Sequence, residues 1–251
     1  MRIGCQISIS KGLDKSVDIA REIGANCFQF FTRNPRGGAA RDIPSTEAAL
    51  WTQRRGEADI YPIVGHLPYT VNLASLKPDA YQFAAETIEA DLNRMDRIGA
   101  EYLVVHPGSR SQMGVEEGIA RVASALERAF MPFVGNAMLL LESMSGQSSE
   151  VGSIQEIGAI IKSLGSPKNL GLCIDTCHLF ASGYDFRQPE EVERMISDID
   201  QYVGLERLRC AHINDSKFGP GLHKDRHELV GAGHIGREGL VNVLGHPLLN
   251  S

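Results

Sequence analysis

The feature that most constrains this chain is a regular beat of short apolar runs, each followed by a helical stretch. The apolar runs cover residues 3–9, 27–32, 60–66, 102–106, 137–142, 170–175 and 208–214. Helical periodicity fills the intervals at 13–23, 45–57, 80–98, 114–130, 154–164 and 189–203, with a last helix at about 237–244. Runs this short and this uniformly apolar suit strands buried on both faces, as in a parallel sheet whose crossovers are helices. The punctuation agrees: two helical stretches close at Gly24 and Gly99, and another opens with Pro189, Glu190 and Glu191, residues favoured at helix starts. Seven β/α units with no linker predict one domain over residues 1–251, and a TIM-type (β/α) barrel rather than a doubly wound sheet. No G-x-G-x-x-G directly follows one of these apolar runs and no P-loop occurs, so the nucleotide-binding α/β classes are unsupported. After the last helix only residues 247–251 remain, so the eighth strand is expected to be missing or truncated.

Composition narrows the class. The 43% hydrophobic and 22% charged fractions are those of a soluble globular protein. No apolar run approaches the roughly 18 residues that span a bilayer, and no leader precedes the first strand. A cytoplasmic location without membrane contact is the expectation. Of five cysteines, Cys5, Cys27, Cys173 and Cys210 lie in apolar runs and are expected to be reduced, small core residues. Cys173 and Cys177 flank Asp175, but strand packing explains Cys173 more simply than thiolate ligation. A net charge of −6 disfavours a general nucleic-acid binder. Three bound divalent ions would add about six positive charges and reverse that inference locally.

Potential ligands recur where packing does not require them. His66 ends the third run, His106 the fourth and Glu142 the fifth. Asp175 and His178 follow at the sixth, His212 lies in the seventh, and Asp225 and His227 sit in the loop beyond. The C-terminal strand ends of a barrel converge on one face, where this fold keeps its active sites. A lone strand-end histidine is more often structural, and Asp175/His178 or Asp225/His227 alone could be a cap or a turn. Their conjunction points to metal. Eight groups exceed the four of one tetrahedral zinc, so at least two ions are implied and three fit. Imidazole and carboxylate suit zinc, manganese or iron, and the two oxygens of Glu142 can bridge a pair of ions. His223, His234 and His246 read as ordinary surface residues.

The motifs resemble those of the endonuclease IV family of apurinic/apyrimidinic (AP) endonucleases. The matching stretches are GCQISISKGL, FQFFTRNPR, GHLPYTVNLAS, HPGS, LLLES-x-SGQ, CIDTCHLFASGYD, HINDSK and DRHELVGAGHIG, in order over essentially the whole chain. The CIDTCHLFASGYD and HINDSK…DRH blocks are highly specific. The resemblance implies a TIM barrel with three zinc ions that cuts double-stranded DNA 5′ to abasic sites, in base excision repair. Manganese accepts the same ligands. Carried over by motif, His66, His106 and Glu142 would hold one ion. Glu142, the bridging catalytic residue, would share a second with Asp175 and His212, and His178, Asp225 and His227 would hold a third. Two close ions can activate a water at neutral pH, and a third can neutralise the leaving oxygen. Arg36 and Tyr69 match positions that enter the duplex at the lesion, where extrusion of an unpaired nucleotide is cheapest. Arg33, Arg36 and Arg41 form a basic cluster suited to phosphate, and Lys217 and Arg226 are further phosphate contacts. Asp215 is expected to orient a ligand or a lysine rather than to be a ligand. The protein is expected to act as a monomer.

The chain departs from the family at three places. Gln6 stands where a histidine is common, and Gly37 and Gly38 stand where an aromatic follows the arginine loop. The chain also stops before the strand whose closing Glu is, in the family, a further ligand of the second ion; three ions remain the expectation, with two possible if that ligand is absent. Two other readings compete. A sugar isomerase or epimerase uses one or two metals on the same face, and the Asp225-x-His227 pair argues against it. A degenerate paralogue would bind abasic DNA without cutting.

Overall fold

The computed structural model describes residues 1–34, 40–130 and 132–250. Six parallel strands form one sheet in chain order: β1 (Phe28–Phe31), β2 (Ile63–His66), β3 (Tyr102–Val105), β4 (Met138–Glu142), β5 (Leu170–Asp175) and β6 (Leu208–His212). Helices α1 (Leu13–Glu22), α2 (Ser45–Glu57), α3 (Pro78–Ile98), α4 (Val115–Phe130), α5 (Ile154–Ser163), α6 (Thr176–Ser182) and α7 (Pro189–Tyr202) alternate with them. The chain then adds a hairpin of β7 (Asp215–Ser216) and β8 (His227–Glu228), and α8 (Gly236–Gly245). This is the expected barrel architecture, curled so that Val64, Val104, Leu140 and Cys173 from four successive strands meet in an inner cluster. The alternate strand residues face the helices and belong to the much larger outer core with Trp51, Leu92, Leu126 and Ile157.

Local chemistry sets the helix limits. Pro78 sits in the first turn of α3, and Gly99 ends that helix in the left-handed conformation at φ 68°. Ser153 and Glu156 form a reciprocal capping box on α5, with the Ser153 hydroxyl accepting from Glu156 N and the carboxylate accepting from Ser153 N. At β5 the cap is also functional chemistry: Asp175 Oδ1 accepts from His178 N at 3.0 Å, so the strand passes directly into α6.

Two expectations need correction. Residues 3–9 do not form a full strand; they make a single parallel bridge, Gln6 with Gln29, bonded through Ile7 N to Gln29 O and Gln29 N to Cys5 O. The run has a strand on one side only among the described residues, so half its backbone groups lack a ladder and Ile3 is 63% exposed. For the same reason Cys5 is exposed and Cys27 and Cys210 are half-buried, while Cys173 is buried as expected and Cys177 is buried as well. All five are free thiols. No strand joins β6 to this segment among the described residues, in line with the expected lack of an eighth strand. No described helix is long and apolar enough to cross a membrane.

Candidate metal centre

The strand ends deliver their polar residues to one face. His66 closes β2, His106 follows β3, and Glu142, Asp175 and His212 close β4, β5 and β6. Glu142 is the hub. Its Oε2 lies 3.0 Å from His66 Nε2 and 3.1 Å from His106 Nε2, while its Oε1 lies 3.0 Å from His212 Nδ1. Each oxygen thus addresses a different set of partners, the arrangement a bridging carboxylate requires. Asp225 Oδ1 stands between His178 Nε2 at 3.3 Å and His227 Nε2 at 3.2 Å. Three groups result, the first two sharing Glu142: His66, His106 and Glu142; Glu142, Asp175 and His212; and His178, Asp225 and His227. Within each, one potential ligand atom per residue lies within 4.8 Å of the others.

The imidazoles are held from behind. His66 Nδ1 meets Leu67 O at 2.7 Å and His178 Nδ1 meets Ser143 O at 2.8 Å, so these carbonyls accept a hydrogen bond from Nδ1–H and leave Nε2 for a ligand role. His212 is held the other way round. Its Nε2 meets Gln29 Oε1 at 2.9 Å, and Gln29 Nε2 in turn donates to Gln6 Oε1 at 2.9 Å, leaving Nδ1 aimed at Glu142. Gln6 therefore acts two steps removed from the centre. Asn214 Nδ2 donates to Asp175 Oδ2 at 2.6 Å and orients that carboxylate. Gln29 and Asn214 escaped the reading of the sequence. A lone polar residue in the FQFF strand was the available signal for Gln29.

Electrostatics bind the cluster. Burial pushes Glu142 up, but the charges and hydrogen bonds of His212 and His106 outweigh it and hold the carboxyl well below its usual range. Burial pulls His178 down, yet Asp175, Asp225 and Glu142 together hold it up to about 10. Burial likewise opposes the rise of His212, which Glu142 drives well above the ordinary value. Asp225 is lowered against burial by His178 and His227. His66 goes the other way, because burial outweighs its contact with Glu142. Imidazolium charge here balances carboxylate charge, and divalent ions would supply the same balance with every imidazole neutral. The buried Nε2 of His178 makes no hydrogen bond of good geometry. A ligand atom oriented from behind and unsatisfied in front fits a metal, and the all-nitrogen-and-oxygen donor set fits zinc or manganese. Cys177 lies near Asp175 and His227, and burial and Asp175 push its thiol up to about 12.

The other expected contacts divide. Tyr69 is 61% exposed on the rim, its ring 5.3 Å from Phe31, 5.9 Å from His66 and 5.7 Å from His106. Lys217 and Arg226 are exposed where the hairpin opens, joined by Lys217 N to Arg226 O, and the Arg226 guanidinium meets the Asp225 carbonyl. Arg33 is turned inward: its Nε and Nη2 donate to Asp91 at 3.0 and 2.9 Å, and its side chain is 11% exposed. Arg41 pairs with Glu47 at 2.9 Å. Arg36 lies outside the described residues, as do Gly37 and Gly38. The Asp215 carboxylate makes no direct hydrogen bond to a ligand side chain or a lysine; it accepts from five backbone amides. His223 and His234 are at the surface as expected, His223 with its Nδ1 2.7 Å from Ser145 O, whereas His246 is partly buried 3.4 Å from Glu193.

A family model described as the xylose isomerase-like TIM barrel matches residues 17–247. A protein of Moorella thermoacetica called probable endonuclease 4 is 43% identical over 250 residues, covering 99% of this chain and 89% of that protein. Its namesake in Heliobacterium modesticaldum is 45% identical over 250 residues, covering 99% and 90%. The crystal structure of endonuclease IV from Thermus thermophilus superimposes with a TM-score of 0.88 at 31% identity, over 100% of this chain and 89% of that one. A D-tagatose 3-epimerase-like protein shares the fold at 19% identity, with a TM-score of 0.70 over 97% and 85% of the two chains.

Proposed function

From the premise that this chain belongs to the endonuclease IV family, within the xylose isomerase-like TIM barrels, we propose that it is a metal-dependent AP endonuclease of base excision repair. It hydrolyses the phosphodiester 5′ to an abasic site in double-stranded DNA, as a monomer in the cytoplasm, with three zinc ions as cofactor. The observation that carries this reading is the sharing of Glu142 between two donor groups beside a third group built on Asp225. A sugar epimerase of this fold has no use for that third group.

When bound, the ions supply Lewis acidity that activates water and neutralises charge on the phosphate and the leaving oxygen. The chain's own groups do the rest. His66, His106 and Glu142 would hold the first ion, Glu142, Asp175 and His212 the second, and His178, Asp225 and His227 the third. Leu67 O, Ser143 O and Gln29 fix which nitrogen His66, His178 and His212 present, so these three rings are oriented before substrate arrives. Tyr69, amphipathic and exposed beside His66 and His106, supplies a face on which a base flanking the lesion stacks. Lys217 and Arg226 contact phosphate. They place positive charge at the rim of the site, where a phosphate backbone would pass.

The test is incubation of the zinc-loaded protein with a duplex carrying one tetrahydrofuran abasic analogue. Incision 5′ to the lesion, abolished by chelator and restored by zinc, is expected. Binding without incision would overturn the enzymatic reading, and turnover of a ketose with inert DNA would establish the epimerase one.

A further inference from the structure

Asp215, the first residue of β7, is fully buried, and its two oxygens collect backbone amides from well separated parts of the chain. Oδ1 accepts from Ser216 N at 2.8 Å and Ile235 N at 3.0 Å. Oδ2 accepts from Gly231 N and Gly233 N at 3.0 Å and Gly236 N at 3.1 Å. The glycines make this convergence feasible. Gly231 and Gly236 have φ of 83° and 66°, and a Cβ on Gly233 would lie 2.4 Å from Ser216 O and 2.5 Å from Asp215 Oδ1. The glycine-rich stretch after β8 is thus wrapped around one carboxylate.

We propose that Asp215 is a positioning residue for His227 and Asp225, setting the affinity of the ion those residues hold. The proposal rests on their reading as ligands of the third ion. His178 is 2% exposed and fixed by packing, but the His227 side chain is 44% exposed and so depends on its backbone for position. That backbone belongs to β8, which is two residues long and pairs with β7 in the register Ser216 to His227. On its other side β7 is stitched by His234 N to Ser216 O at 2.7 Å and by the Asp215 amide bonds. The last of these amides belong to the start of α8, whose Leu240 and Val243 are buried in the core. Asp215 therefore ties the hairpin that carries Asp225 and His227 to an element anchored in the core. Groups that orient a metal ligand typically change affinity by about 10–100-fold when lost.

Asp215→Asn keeps the shape but turns an N–H₂ group toward converging N–H donors. Two measurements test the proposal, each against wild type. Hydrogen exchange on the metal-free proteins reads the clamp, with faster exchange expected at residues 231–236. Zinc competition against a chromogenic chelator reads the consequence: one ion weakened by about 10–100-fold, the remainder unchanged, and the melting temperature of the metal-free protein little altered. A merely structural role would lower that melting temperature and weaken every ion together, which would overturn the proposal. So would unchanged zinc affinity despite faster exchange, or unchanged exchange. If Asp215→Asn fails to fold, Gly233→Ala carries the same expectation, since its Cβ pushes the loop off the carboxylate. A His178→Ala control separates the two readings: an unchanged metal count there removes the third-ion assignment, while the exchange data still judge the clamp.

Discussion

Glu142 carries more of this site than any other residue, because its two oxygens face two sets of imidazoles at 3.0–3.1 Å. Replacing it by Gln removes one acceptor and the negative charge, leaving a neighbourhood of histidines without their common partner. Glu142→Gln is expected to lower incision by at least about 100-fold, more than the loss of an orienting group alone, and elemental analysis should find fewer ions per chain. Asp225→Ala and His66→Ala are each expected to remove incision. Full activity in either would sink the ligand assignment. All eight potential ligands were legible in the sequence, because histidine and carboxylate at consecutive strand ends are costly to place there without a purpose. Their orienting partners were not. Gln29 and Asn214 are ordinary polar residues in the sequence, and only the geometry joins them to His212 and Asp175.

At the scale of elements, Arg33 shows where sequence reading runs out. An arginine in a basic loop looks the same whether it faces phosphate or a carboxylate brought in from elsewhere. Here the partner is Asp91 in α3, fully buried, which also accepts from Thr32 Oγ1 at 2.6 Å. Arg94, a turn further along α3, donates to Thr32 O at 2.9 Å. The end of β1 is thereby fastened to α3. Asp91→Ala strands two guanidinium groups that are nearly buried, and the expected cost is about 3–5 kcal/mol. Urea denaturation with an unchanged m-value and a lower midpoint would register it. Arg33→Ala should show a comparable loss, and a purely DNA-binding defect at full stability would contradict the assignment. The β7–β8 hairpin was equally hidden, since strands of two residues fall below any pattern that alternation can reveal.

Across the whole molecule, the barrel architecture was legible because a parallel sheet covered by helices imposes long, repeated hydrophobic signals. The first run failed as a strand for a reason that lies outside its own sequence: it has a neighbour on one side only among the described residues. Metal should stabilise the assembled molecule strongly, since each ion binds residues from several β/α units. At free zinc about 100 times the dissociation constant, linkage contributes ~2.7 kcal/mol per ion, or roughly 5–10 °C in melting temperature for a chain of this size. Thermal melts with zinc and with chelator should show this shift. Coincident melting curves would mean that the ions are not bound by the folded state.

The spread of the donor atoms along the chain also sets a clock. His66 and His227 are separated by about 160 residues, and Gln6 reaches the same centre through Gln29. A ribosome adding about 5–20 residues per second needs roughly 10–30 seconds to travel between the two histidines. Throughout that interval the emerging polypeptide offers partial sets of imidazoles and carboxylates, each weaker than the finished one. The donor sets are completed in chain order, and the one that needs Asp225 and His227 comes together only after the other two have been made.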